Sequence, residues 1–131
     1  MEIPKKYKDL LTGKNFAHVA TINPDGSPQV TPMWIDYDQE HNEILVNTAI
    51  GRKKTRNMKV GAKVALSIPD STNSYRYMAI QGEILKVTTE GAKDHIDSLA
   101  KRYFDRDKYQ LSEGEIRVLV RIKPNYVHAM G

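Results

Sequence analysis

The sequence predicts a mainly β, α+β fold: an antiparallel barrel of about six strands carrying peripheral helices. Three observations carry that reading. Short aliphatic and β-branched runs are separated by turn-forming residues, without the strand–helix–strand rhythm of a parallel sheet. Tyr75 to Thr88 is long for a strand and holds Gly82 near its middle, as a strand does where it bends around a small barrel. Glu115 to Met130 is a second long strand, bent at Pro124. With 131 residues, the chain suits one domain, residues 1–131, burying about two-thirds of the surface its unfolded form exposes.

Taken in order, Ile3 to Leu11 reads as a short helix, with Pro4 in its first turn and Gly13 at its end. Phe16 to Ile22 alternates, Ala17, Val19 and Thr21 on one face and Phe16, His18, Ala20 and Ile22 on the other, which predicts a strand. Asn23-Pro24-Asp25-Gly26-Ser27-Pro28 is hairpin chemistry. The next strand, Gln29 to Tyr37, sets Val30, Pro32 and Trp34 against Thr31, Met33 and Ile35. Pro32 cannot donate to a ladder, so it marks an edge, a bulge or a place where a ligand meets the backbone. Asp38 to Asn42 is a polar turn and Glu43 to Thr48 a third strand. A basic helix follows and Gly61 closes it. Lys63 to Ile68 is a fourth strand, and Pro69 to Ser74 a loop. Beyond Thr88, Thr89 caps a helix whose apolar positions are Ala92, Ile96, Leu99 and Tyr103, with Lys93, Asp94, Asp97 and Lys101 facing water.

Charged residues make up 27% of the chain and hydrophobic ones 40%, an ordinary composition for a soluble protein. No apolar run reaches the ~20 residues of a spanning helix, and the first residues do not read as a signal peptide. A cytoplasmic protein without membrane contact is the expectation. The absence of cysteine excludes disulfides, thiolate metal sites and a cysteine nucleophile, so redox chemistry would need a bound organic cofactor. The four histidines are scattered, without metal-ligand spacing, and no metal site is predicted.

The net charge of +4 is modest, yet Arg52, Lys53, Lys54, Arg56 and Lys59 crowd one short stretch. Basic side chains in a first helical turn oppose the roughly +0.5 charge already present there. Either the cluster is a solvated basic face, or an anion such as phosphate completes it. Thr48 and Thr55 add hydroxyls nearby. Trp34 is the only tryptophan, a core or interface side chain or a ligand contact.

Several stretches together resemble the pyridoxamine phosphate oxidase-like split barrels. They are Phe16 to Thr21 with the Asn23 to Pro28 turn, Val30-Thr31-Pro32-Met33-Trp34, Asn47 to Met58, Val64 to Ile68, and Arg117 to Pro124. The most specific is the third, where Asn47, Thr48, Lys53, Lys54, Arg56 and Met58 match the family pattern. Pyridoxamine phosphate oxidase itself has a basic residue in place of Trp34 and Arg-Leu-Ser-Pro in place of Arg121-Ile122-Lys123-Pro124. These departures resemble the deazaflavin- and flavin-dependent oxidoreductase branch. The resemblance implies coenzyme F-420, slightly favoured, or FMN. Lys53 and Lys54 would hold the cofactor phosphate, and Thr48 and Ala49 would contact the ribityl chain or phosphate. Val30 to Trp34 would lie along the ring, Arg52 and Arg56 would meet further anionic groups, and Asn57 would support the site. It also implies a homodimer with the cofactor in an interface groove, which Tyr75, Tyr77, Gln81 and Met130 of a partner would reach. Those four equally suit packing positions of long strands.

The implied activity is a reductase of small conjugated or heteroaromatic compounds. The cofactor carries the hydride, with a proton from solvent or a tyrosine such as Tyr77. Two rivals are a non-catalytic flavin or deazaflavin carrier or redox sensor on the same fold, and a small barrel binding single-stranded nucleic acid. Trp34 and the tyrosines are not interleaved with the cations, which argues against the second rival, so no nucleic acid is expected.

Overall fold

Seven strands run through the computed structural model, which describes residues 1–131. They are β1 (Phe16–Ile22), β2 (Pro28–Trp34), β3 (Asp36–Asp38), β4 (Glu43–Ala49), β5 (Lys63–Asp70), β6 (Asn73–Thr88) and β7 (Arg117–Met130). Every pairing is antiparallel, and the single sheet has the order β2-β1-β5-β6-β7-β4-β3. The outer strands β2 and β3 do not pair with each other, so the curled sheet closes by side-chain packing and leaves a split. Three helices accompany it: α1 (Asp9–Thr12), α2 (Lys53–Asn57) and α3 (Ala92–Phe104).

Alternation along the strands fills the barrel. Ala17 and Val19 from β1, Leu66 and Ile68 from β5, Met78 and Ile80 from β6, and Val120 and Ile122 from β7 meet in one core with Leu10 and Leu11 of α1. Strand β4 is buried on both faces. Ile44 and Val46 point into the barrel, while Leu45 packs with Leu119 and Ala92 under α3. Pro32 sits on β2, at the edge of the sheet, where its missing N–H costs no ladder bond.

The bend in the long strands falls where expected. The β6–β7 register shifts between Gln81 and Gly82, and Gly82 pairs with Pro124. A β-carbon at Gly82 would lie 2.5 Å from the Lys123 carbonyl oxygen and 2.9 Å from an Ile122 methyl.

Several expectations need correction. The N-terminal helix is split into a 3₁₀ turn, Lys5–Tyr7, and α1. The second strand ends at Trp34, and Asp36–Asp38 forms a separate seventh strand against β4, because Asp36 and Asp38 find cationic partners there. Strand β5 runs past Ile68 to Asp70. Helix α2 spans only Lys53–Asn57 and stops before Gly61. Gly91 at φ 75°, not the Thr89 side chain, starts α3. Asp97 is half-buried, binding Lys93 and accepting the Tyr109 N–H. No helix is long and apolar enough to cross a membrane.

Gly82→Ala is expected to lower stability by about 1–3 kcal/mol through this overpacking, read as a lower midpoint in thermal or urea unfolding.

Candidate functional site

A cleft of about 170 Å³ opens where the ends of β1 and β2 approach the start of β7 and the segment that follows β4. Phe16, Pro32, Met33 and Trp34 form one wall, Ile96 and Tyr109 another, and Asn47, Arg52, Lys54 and Arg117 the polar side. The Trp34 indole stacks on Tyr103, with centroids 4.9 Å apart and planes 7° from parallel, and meets Phe104 and Tyr109 edge-on. Tyr103 is fixed in turn: its hydroxyl accepts the Ile35 N–H and donates to the Asn15 carbonyl oxygen. Burial pushes the Tyr103 hydroxyl pKa up. The aromatic wall is thus held by contacts within the chain itself.

The cationic side is unbalanced. Arg117 is buried, donates from Nη1 to Glu115 at 2.8 Å and from Nε to Asn47 Oδ1 at 2.9 Å, and lies 5.0 Å over the Tyr109 ring. Although burial opposes the charge, this guanidinium holds Glu115 below the usual carboxylate range. Burial, with Arg52 and Arg117 close by, pushes the Lys54 ammonium pKa down. Arg76, Arg102, Arg117 and Arg121 all pair with acids, whereas none of Arg52, Lys53, Lys54, Arg56 and Lys59 does.

The predicted site residues divide into five places. Pro32, Met33, Trp34, Asn47, Arg52 and Lys54 share the cleft. Lys53, Arg56 and Asn57 face the other side of α2, lining a polar groove with Asn23, Pro24 and Lys59. Asn57 donates to Thr21 and Asn23, tying α2 to the β1–β2 hairpin. Thr48 and Ala49 are buried. The Thr55 hydroxyl donates to the Ala49 carbonyl oxygen, so the Thr48 hydroxyl donates to Thr55, and together they fasten α2 to β4. Val30 is exposed, and Thr31 accepts from Gln29. Tyr75, Tyr77, Gln81 and Met130 lie on β6 and β7, outside this chain's cleft.

Because α2 has five residues, its dipole is small, and side-chain charge rather than a helix terminus makes this cleft attractive to anions. Of the four histidines, His95 stands beside the cleft with both ring nitrogens partnered. Its Nε2 lies 3.1 Å from Asp36 and its Nδ1 3.1 Å from Asn47. No group of three or more His, Cys, Asp or Glu side chains is placed to hold a metal ion.

The sequence profile of the pyridoxamine 5'-phosphate oxidase family matches residues 3–131. The chain belongs to that family. It is similar to a solved structure described as an F-420 reductase, at 30% identity and TM-score 0.82, over 96% of this chain and 98% of that one. A conserved hypothetical protein from Mycobacterium tuberculosis matches at 20% identity and TM-score 0.72, over 99% of this family member and 85% of its own chain. An FAD and heme binding protein from Mycobacterium smegmatis shares the fold at 17% identity and TM-score 0.70, over 99% and 71%. No protein among curated sequences matches the chain.

Arg117, Tyr109, Phe16 and Ile96 line the cleft without having been predicted as site residues from the sequence. Arg117 opens a strand like any other residue, and only pairing Ala49 with Arg117 brings it beside Asn47. Nearby, burial works against the Asp36 charge, but hydrogen bonds from His95 and Arg102 hold its pKa down at about 2. A carboxylate depressed on folding stabilises above its unfolded pKa and loses that contribution as pH falls through the folded one. Asp36→Asn is therefore expected to cost about 2 kcal/mol at pH 7. In denaturant titrations the difference from wild type should shrink as pH falls from 4 toward about 2.

Proposed function

We propose that this protein is an oxidoreductase that binds coenzyme F-420, or alternatively FMN, and reduces a small conjugated or heteroaromatic compound. The observation that carries this reading is the set of unpaired cations beside a preformed aromatic wall. Positive charge gathered in a partly desolvated cleft is costly unless an anion completes it. The residues fit a phosphate-bearing tricyclic cofactor: Arg52 and Lys54 would take the phosphate, and Pro32 to Trp34 would lie against the ring. When bound, such a cofactor supplies the hydride. The chain's own part is to hold the phosphate, orient the ring and exclude water from the covered face.

The 30% identity to a protein described as an F-420 reductase supports F-420 over FMN. So does the second set of cations, Lys53, Arg56 and Lys59, across α2. An oligoglutamate tail could reach these cations, and FMN has no such tail.

A cleft of about 170 Å³ is smaller than the roughly 300–1,000 Å³ of a typical cofactor pocket, which supports completion by a second copy. The outer face of β2, β1, β5, β6 and β7 suits that copy. One cross-strand row reads Val30, Ala20, Ala65, Gln81, Tyr126 and the next Pro32, His18, Ser67, Ala79, His128, with no Lys, Arg, Asp or Glu in either. Exposed, uncharged sheet of this extent marks an interaction surface. Tyr77 and Met130, paired at the end of that face, would be the partner's contribution.

Visible absorption of the purified protein and titration with both cofactors test the proposal; failure to bind either would overturn it, and turnover with a substrate panel separates a reductase from a carrier. Lys54→Ala is expected to weaken cofactor binding at least tenfold, since a charge-assisted phosphate contact is worth ~1.5–3 kcal/mol. In sedimentation, wild type should run as a dimer and Tyr126→Glu as a monomer with weakened cofactor affinity.

A further inference from the structure

Asn47 stands between Leu45 and Ala49 on the side of β4 that faces α3, and its contacts leave its amide one orientation. Nδ2 lies 2.9 Å from the Ala92 carbonyl oxygen, a group that only accepts, so this end of the amide must be the nitrogen. The same Nδ2 lies 3.1 Å from His95 Nδ1, which must offer a lone pair. The imidazole proton then sits on Nε2, 3.1 Å from Asp36 Oδ2, and Arg102 holds the other oxygen of that carboxylate. At the far end of the amide, Oδ1 accepts from Arg117 Nε at 2.9 Å. Turning the amide over would set oxygen against the Ala92 oxygen and NH₂ against the Arg117 N–H. One tautomer, one amide orientation and one guanidinium position therefore stand or fall together.

Arg117 Nη1 goes to Glu115. No buried side-chain polar atom lacks a partner, so Nη2, which has none within the protein, is not fully buried, and Arg117 lines the cleft. We propose that His95 is a positioning residue for anion binding: by accepting from Asn47 it keeps Arg117 Nη2 aimed at the ligand's phosphate. This role rests on the phosphate-binding reading above. His95 touches no ligand itself; it acts through Asn47 and Arg117.

Two substitutions separate its two hydrogen bonds. His95→Asn puts an amide oxygen near the place of Nδ1 and gives up Asp36; His95→Gln puts an amide nitrogen near Nε2, keeps Asp36 and gives up Asn47. Each is titrated with FMN and with riboflavin, which lacks the phosphate. His95→Gln is expected to bind FMN about tenfold more weakly with riboflavin affinity unchanged, while His95→Asn stays within about threefold for both. Without ligand, the Arg117 Nε–H resonance should exchange faster with solvent in His95→Gln and keep its wild-type rate in His95→Asn. Equal losses in both variants, equal losses for FMN and riboflavin, or an unchanged Arg117 resonance in His95→Gln would overturn the proposal. Wild type that binds neither FMN nor F-420 would sink the cofactor reading instead, and the Arg117 resonance, which needs no ligand, would still report whether His95 holds the guanidinium.

Discussion

Burial of both faces of β4 constrains the rest of the molecule, because a strand without a solvent side must find a partner for every group it carries. Its inward residues complete the barrel core, and its outward residues need α3 as a lid. Asn47 is the polar group caught under that lid, and an unsatisfied amide there would cost about 1–3 kcal/mol. Its three partners come from two elements: Ala92 and His95 on α3, and Arg117 on β7. The same contacts fix how α3 lies on the sheet and where the floor of the cleft is. Packing and site geometry share one set of hydrogen bonds.

Charge is distributed along similar lines. On the sheet and on α3 the arginines are paired, and their acids are held well ionised, as at Asp38, whose pKa is held at about 2 chiefly by Arg121. Around α2 the balance is absent. The helix is too short for its dipole to matter, and Thr48, Thr55 and Asn57 fasten it to β4 and to the β1–β2 hairpin. It therefore presents its cations from a fixed platform, and flexible side chains lose less entropy on meeting an anion when their backbone is already placed. Adjacent helical residues point about 100° apart, so Lys53 and Lys54 serve different grooves.

Much of this was legible in the chain. Strand β1 and its two faces, the hairpin at Asn23 to Pro28, the bend at Gly82 and Pro124, and the basic stretch after β4 are all local signals: alternation, turn chemistry and charge density. The family followed from the same segments. Other features were invisible for stated reasons. The break after Trp34 depends on Asp36 meeting Arg102 and His95, residues about sixty positions away. The short α2 ends where Asn57 turns toward the hairpin. Arg117 and Tyr109 look like ordinary strand and loop residues until the β4–β7 register brings the first to the cleft and Asp97 on α3 anchors the second beside it.

The sequence by itself determined which segments form strands, where the sheet must bend, and that an excess of positive charge sits at one point of the chain. Those properties reside in runs of neighbouring residues. Only the tertiary structure decided which cations face the aromatic wall, which hydroxyls are spent fastening α2, and that a histidine on α3 orients an asparagine on β4. These are contacts between residues far apart in sequence, set by strand register and helix docking, and no local pattern encodes them.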